Sequence, residues 1–292
     1  MQISAQVTLP FDRDRETDLS LRAKPFVRWA GGKTRLLRAL LPYVPAKFRN
    51  FHEPFLGSGA MFFALRTRAQ RCFLADSNSE LINLWLVIQK EPKSFLEKIQ
   101  PYYKRQGKDQ YYSVRNESPD HHLERAARFF YLNQTSWNGL WRENRWGVFN
   151  VPFGARNFRG IDSEVLETIS QVLQGVIIRE ADFRETMIDV VRDDFVYFDP
   201  PYLPISDTSK FCLYNGKRYR KHDLEELAEI CNRLTMKGVY WMLSNRDNEH
   251  IRKIFSHAKI VSFTTRRAVA AQNKRHVQPK ESPEVVVYGG PK

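Results

Sequence analysis

The sequence predicts an α/β fold, a mostly parallel sheet with helices on both faces, interrupted by an inserted, mainly helical module that carries a β-hairpin. Three observations predict it. A strand, a glycine turn and a helix over residues 51–65 lead into a second strand ending on Asp76, a βαβ unit. Strands and helices alternate again from Val176 onward. Between these stretches, Asn83 to Gly160 reads as helical segments rich in Tyr, Phe, Trp and Arg, outside the alternation. On this reading residues 1–24 are a mobile tail, 25–82 and 166–292 form the sheet domain, and 83–165 form the insert. Sheets of this kind bind ligands at the carboxyl ends of their strands.

Taken in order, Lys24–Thr34 ends in a glycine-rich turn that opens an apolar helix through Leu36, Leu37, Leu40 and Leu41, stopped by Pro42. Phe51–Phe55 is the first strand, Leu56–Ala60 the tight turn, and Met61, Phe62, Ala64 and Leu65 the next helix. Arg71–Ala75 is the second strand. In the insert, Asn138-Gly139 between bulky residues marks a hairpin turn. Then come strands at Val176–Ile178 and Phe195–Phe198, a helix over Asp223–Thr235 and a strand at Val239–Ser244. A helix near Glu249–Ser256 and strands at Ile260–Thr264 and Glu284–Tyr288 complete the chain.

Composition narrows the function. Hydrophobic residues make up 42% and aromatics 13%, enough for a sizeable core. No run approaches the roughly 18 apolar residues of a membrane span, and Met1–Arg15 lacks a signal pattern, so the expectation is a soluble, cytoplasmic protein without membrane contact. Cys72, Cys212 and Cys231 have no spacing that makes a zinc site or disulfide framework, and no metal is expected. Lys and Arg outnumber Asp and Glu by 46 to 33, a net charge of +13 that suits a phosphate backbone.

Gly57-Ser58-Gly59 allows close approach of backbone to a ligand, because glycine has no side chain in the way. Asp76, nineteen positions after Gly57, is where a carboxylate takes the ribose hydroxyls of a nucleoside; its alternative is a helix cap ahead of Ser77-Asn78-Ser79. Phe62 occupies the third position of a Gly-x-Gly-x-x-Gly fingerprint, so nothing is shaped for a pyrophosphate, and S-adenosylmethionine fits better than a nicotinamide cofactor. Gly31-Gly32-Lys33-Thr34 fails as a phosphate-binding loop, since Val27 stands where its first glycine belongs. Lys33 can still meet an anion such as a methyl donor's carboxylate, and Trp29 offers a face for stacking.

Asp199-Pro200-Pro201-Tyr202, directly after an apolar strand, is the most specific signal. An aromatic amine is a poor nucleophile, its lone pair being delocalised into the ring. The Asp199 carboxylate and the Pro200 carbonyl can accept its two N–H bonds and turn the lone pair toward an electrophilic methyl. Tandem prolines fix the carbonyl's direction, and Tyr202 can stack on the base.

These motifs, in this order, resemble the Dam-type (alpha-class, D12 class) adenine-specific DNA methyltransferases from about Lys24 to the C-terminus. The resemblance implies a Rossmann-like S-adenosylmethionine-dependent methyltransferase sheet and transfer of a methyl group to the N6 amine of a flipped adenine in double-stranded DNA. It assigns the catalytic role to Asp199, Pro200 and Tyr202. It assigns the donor's pocket to Trp29, Ala30, Gly31, Lys33, Glu53, Phe55, Gly57, Gly59, Asp76 and Asp199, with Asp182 and Phe183 near its adenine. S-adenosylhomocysteine is the implied product. The segment from Phe129 to Gly154 is similar to the family's target-reading region, where Arg142 matches the arginine that reads guanine in GATC. Arg28, Trp137, Asn138, Leu140, Pro152 and the later Arg267 complete the implied DNA contacts.

Trp137 replaces the tyrosine usual at the hairpin, and Ala155 stands where a basic residue is expected, which weakens the flanking phosphate contacts. Phe130 and Phe153 read as the insert's own core, while Trp146 fits core or surface equally. Arg266-Arg267 and Lys274-Arg275-His276 form a basic loop that can follow DNA or simply face solvent. The expected enzyme is a monomer with no obligate protein partner, encoded by a bacterium or its phage. An enzyme of the same chemistry acting on ribosomal RNA, and a catalytically silent DNA-binding relative, are the alternatives.

Overall fold

The computed structural model describes residues 23–144, 146–203, 213–214, 217–266 and 281–291. Nine strands are found among them: β1 (Phe51–Glu53), β2 (Cys72–Asp76), β3 (Ile177–Glu180), β4 (Phe195–Phe198), β5 (Leu213–Tyr214), β6 (Lys217–Arg218), β7 (Tyr240–Arg246), β8 (Lys259–Arg266) and β9 (Glu281–Gly289). Seven make one sheet in the order β3-β2-β1-β4-β7-β9-β8. Only β9 runs against its neighbours. β5 and β6 form a separate antiparallel pair that the sequence reading did not anticipate.

Alternation along the central strands shows that the sheet is covered on both faces. Phe195 and Tyr197 of β4 pack into one hydrophobic cluster and Val196 and Phe198 into the other. Met242 and Val286 join the first, and Trp241, Leu243, Val285 and Val287 the second. This two-residue period is the pleat of a strand read from both sides, and it explains why β4 is an unbroken apolar run, Phe-Val-Tyr-Phe.

The helices are α1 (Leu37–Leu40), α2 (Ala60–Leu65), α3 (Ser79–Lys90), α4 (Pro92–Ile99), α5 (Lys108–Asn116), α6 (His122–Thr135), α7 (Ser163–Val172), α8 (Lys221–Met236) and α9 (Glu249–Ile254). The single helix expected from Lys33 to Leu41 is instead a short α1 flanked by 3-10 turns at Lys33–Arg35 and Leu41–Tyr43. Pro42 removes a backbone donor at this point, and four leucines are too few to sustain a longer helix. Caps fix the other starts. Asn78 accepts from Leu81 N at 2.8 Å, Asp162 from Glu164 N at 2.9 Å, and Asn248 from Ile251 N at 2.9 Å.

The insert, with bounds set by the sequence at 83 and 165, begins inside α3 and ends inside α7. Its Phe95, Phe130, Tyr131 and Phe158 belong to the same buried cluster as Phe51, Phe62 and Leu74 of the sheet. Phe130 is buried as expected, and Phe153 is half-buried against that cluster. Ala23, placed in the tail, is also buried in it. Cys72 and Cys231 are buried, while Cys212 lies outside the described residues.

A core shared by sheet and insert predicts one cooperative unfolding event. Phe130→Ala should cost about 3–5 kcal/mol and shift a single thermal transition followed by circular dichroism. Two separate transitions, only one of them shifted, would contradict the shared core.

Candidate active site at the carboxyl ends of the strands

Four adjacent parallel strands, β2, β1, β4 and β7, bring the predicted chemistry to one edge of the sheet. Asp76 ends β2, the glycine turn follows β1, Asp199 follows β4, and Ser244 lies in the last part of β7.

At the centre is Asp199. The Lys33 ammonium donates to both of its oxygens, Oδ1 at 2.5 Å and Oδ2 at 2.7 Å, and to the Gly31 carbonyl at 2.8 Å. Lys33 is 4% exposed and Asp199 19%. Ser244 Oγ donates to Asp199 Oδ1 at 3.1 Å and shares a 2.8 Å hydrogen bond with Tyr197 Oη. Burial raises the pKa of Asp199 above its usual range, opposed by Lys33 and then by Ser244. Tyr202 donates its hydroxyl to Glu284 Oε2 at 2.6 Å, and its ring centroid lies 5.2 Å from the Lys33 nitrogen. The ring that ends the tetrapeptide 199–202 is therefore held at its far end by a buried carboxylate.

The glycine turn has the geometry a close backbone approach requires. Gly57 has φ of +48°, and a Cβ there would lie 2.6 Å from the Trp29 indole. Gly59 has φ of +65°, and its Cβ would meet Trp85 at 2.6 Å. Asp76 accepts from Gly57 N at 3.1 Å and from Asn78 N at 3.0 Å, so it ties the two loops together. The cap of α3 is Asn78, not Asp76. Burial lifts the pKa of Asp76 to about 6, against those backbone hydrogen bonds. Glu53 accepts from Phe62 N at 3.0 Å, and burial pushes it well above the ordinary carboxylate range, with Asp199 and Asp76 adding repulsion.

The other expected pocket residues divide. Phe55 stacks on the buried Phe183, ring centroids 5.3 Å apart, and Tyr219 meets Phe55 edge-on. Asp182 faces Arg184, whose guanidinium also reaches Asp223 and Glu226. Ala30 and Gly31 are exposed. Lys33, expected at the donor's carboxylate, points its ammonium at Asp199 and Gly31, because a half-buried carboxylate needs a counter-charge.

In the insert, Arg28 is exposed while its backbone is clamped by the Asn133 side chain, which accepts from Arg28 N at 2.9 Å and donates to Arg28 O at 2.7 Å. A Cβ on Gly139 would sit 2.7 Å from Arg28 Cβ, so Arg28 lies directly against the Trp137–Gly139 turn. Trp137 and Asn138 are exposed, and Asn138 has φ of +56°. The hairpin does not reverse at Asn138-Gly139. Isolated bridges pair Ser136 with Phe153 and Glu143 with Phe149, and the chain turns at 144–148, where the Asn144 side chain accepts from Trp146 N and Val148 N. Asn138-Gly139 instead forms a 3-10 turn; its left-handed residues serve the packing on Arg28. Leu140 is half-buried, the carbonyl of the exposed Pro152 accepts from Trp137 N, and Arg142 Nε donates to Asn150 Oδ1 at 2.7 Å across the hairpin. Trp146 is 70% exposed, which settles it as surface. Arg267 and the run 274–276 lie outside the described residues.

With this geometry in place, comparison identifies the family. Residues 29–269 match the model of the D12 class N6 adenine-specific DNA methyltransferases. The chain belongs to this family. It is 35% identical over 260 residues to the Type II methyltransferase M1.LlaDCHI of Lactococcus lactis subsp. cremoris, covering 85% of this chain and 91% of that one. It is 30% identical over 278 residues to the DNA adenine methylase of Haemophilus influenzae, covering 93% and 96%. It is 31% identical over 270 residues to the Type II methyltransferase M.MjaIII of Methanocaldococcus jannaschii, covering 85% and 93%. The seven-stranded sheet with one reversed strand is the Rossmann-like methyltransferase fold expected of a D12 enzyme. Membership favours DNA over ribosomal RNA as the substrate.

Sequence reading missed Ser244, Tyr197, Glu284 and Asn133. Each is a polar or phenolic side chain buried in a regular element, with nothing in the periodicity to single it out. Ser244 carried one usable signal, a hydroxyl directly after the run Tyr-Trp-Met-Leu in a strand that must be buried.

The Lys33–Asp199 pair gives a prediction with a defined pH dependence. Removing the ammonium leaves a half-buried carboxylate uncompensated, so Lys33→Met should lose about 3 kcal/mol at pH 8. Asp199 would then hold its proton to a higher pH than in the unfolded chain. The loss should therefore shrink on acidification, as the group becomes neutral in the folded state. Thermal melts of both proteins at pH 5 and pH 8 check this; a gap independent of pH would refute it.

Proposed function

We propose that this D12 enzyme moves a methyl group from S-adenosylmethionine to the N6 amine of an adenine flipped out of double-stranded DNA, within the site GATC. The observation that carries the reading is the fixed Asp199 carboxylate beside the glycine turn and Asp76, all at one edge of the sheet. S-adenosylmethionine supplies an electrophilic methyl on a sulfonium. The residues present suit such a donor: a left-handed turn at Gly57 packed against the Trp29 indole, the buried carboxylate of Asp76 for ribose hydroxyls, and the Phe55–Phe183 pair for a flat ring.

Asp199 accepts one N–H of the target amine and Pro200 O the other, which turns the nitrogen lone pair out of conjugation. The carboxylate then opposes the positive charge that grows on nitrogen as the methyl arrives. Lys33 and Ser244 hold that carboxylate in one orientation, and Tyr202, anchored on Glu284, offers its face to the flipped base. Arg28, Trp137, Asn138, Leu140, Arg142 and Pro152 form the DNA-reading side, in keeping with the contact between Arg28 and Gly139. We read the enzyme as a monomer of the cytoplasm, the compartment that holds its DNA and its methyl donor.

Asp199→Ala should lower kcat by about a hundred- to a thousandfold while the affinity for duplex DNA stays close to wild type. Full activity would remove Asp199 from the mechanism. Modified-base sequencing of DNA from a methylation-free strain expressing the chain tests substrate and site together, with N6-methyladenine expected in GATC.

Arg142 provides a separate test of site reading. Arg142→Ala should forfeit about 1–3 kcal/mol of discrimination at the guanine, so variant sites such as AATC become methylated at rates nearer to GATC. Unchanged discrimination in competition assays would assign guanine reading elsewhere.

A further inference from the structure

The opposite end of the sheet carries a feature that the reaction does not use. The segments leading into β1, β2, β4 and β7 contain Lys47, Arg49, Arg68, Arg71, Arg192 and Lys237, all exposed. The only acids in those segments are Asp193 and Asp194. Asp194 is buried and accepts from Asn50 N, Asn50 Nδ2, His52 Nε2 and Val191 N. Among the described residues none of the six cations forms an ion pair with a carboxylate.

Backbone hydrogen bonds set these segments side by side. Gln70 N donates to Arg49 O at 2.8 Å, Arg49 N to Asp193 O at 2.7 Å, and Asp193 N to Gly238 O at 3.0 Å. Arg71, Arg49, Arg192 and Lys237 therefore stand on successive neighbours of one sheet, a row about 14 Å long at the usual strand spacing of about 4.8 Å. Arg68 is fastened to the same edge, donating to Pro45 O at 2.6 Å and lying 5.3 Å over the Phe48 ring. The Arg192 side chain lies against Gly238.

We propose that this row is a second docking surface for duplex DNA, gripping the phosphates of a segment other than the one being methylated; it rests on the reading of duplex DNA as substrate. Five residues of extended chain separate Asp194 from Asp199, roughly 16 Å, so the row and the active site face opposite ways and one straight segment does not reach both. Among the described residues the exposed aromatics Tyr103, Trp137 and Trp146 all belong to the insert, so the row offers no fully exposed ring for a single strand to stack on and suits a double-stranded backbone. Phosphate contacts of this kind hold DNA without reading it. Such a surface keeps the enzyme on a long molecule while the active site releases one segment and takes another.

The test uses the full chain with its active site saturated by an unlabelled single-site duplex, and follows a labelled second duplex lacking the site by fluorescence anisotropy. Wild type should bind two duplexes per chain. In Arg49→Gln/Arg71→Gln/Lys237→Gln the second affinity should fall at least about tenfold and its log K against log salt slope by about 3, at 0.9 per phosphate. Methyl transfer to the single-site duplex should stay within about twofold of wild type, because these contacts lie outside the active site. Lys93→Gln/Lys221→Gln/Lys253→Gln removes the same net charge elsewhere and should leave the second site intact. The proposal is overturned by one duplex per chain in wild type, by equal losses in the two triple variants, or by anionic phospholipid vesicles displacing the second duplex. If wild type fails to methylate the single-site duplex at all, the substrate reading fails instead.

Discussion

The ion pair between Lys33 and Asp199 is the constraint on which the arrangement depends. It links residues 166 positions apart, joining the amino-terminal turn to the end of β4. A carboxylate at that depth, without its ammonium, would take up a proton or draw in water, and either would spoil it as a fixed acceptor. The short α1 and its flanking 3-10 turns make sense in this light: a tight turn at Gly31 brings the ammonium back onto both Gly31 O and Asp199, and a regular helix starting at Lys33 is not needed. The same segment presents Trp29 over Gly57 and Arg28 to the insert, so three neighbouring residues serve three different tasks.

Arg28 shows how the insert is coupled to the sheet domain. Its backbone is held by both polar atoms of the fully buried Asn133 on α6, and its side chain rests on Gly139. A shift of α6 would therefore move Arg28 and, four residues later, the end of the Lys33 turn. Because the insert shares its apolar core with the sheet, such a shift is resisted by close packing throughout the cluster. The Trp137–Gly139 turn and the Asp199 carboxylate are thus connected by side chains with few alternative arrangements. The proposed reaction has that physical requirement, since a base flipped from one region must arrive correctly in the other.

Much of this was legible beforehand where period and punctuation agree. The strand–glycine–helix unit at 51–65, Asp76 and the tetrapeptide at 199–202 were placed correctly because each couples a hydrophobic pattern to a residue with one main structural use. The hairpin was mislocated because Asn-Gly satisfies two turn types equally well: positive φ at both residues suits a hairpin and also the kink that packs on Arg28. The contact between Lys33 and Asp199 was not legible, since a sequence places a cation near a helix start but does not say that a carboxylate 166 residues away lies against it. Ser244, Glu284 and Asn133 were missed for the same reason. Their roles exist only in contacts between distant elements, and no local rule distinguishes a buried serine with a partner from one that merely fits.

The contacts around Asp199 also bear on what it does chemically. A carboxylate has about four lone-pair positions, two on each oxygen. Oδ1 takes Lys33 and Ser244, and Oδ2 takes Lys33. One position remains, on Oδ2. In the proposed reaction that single vacancy matches one N–H of the target amine, leaving the second to Pro200 O. Full occupancy by donors disfavours protonation of the carboxylate, because a proton would have to displace one of them. Asp199 is then best suited to orient the amine and stabilise charge through the transition state, with the released proton leaving by another route once the methyl has transferred.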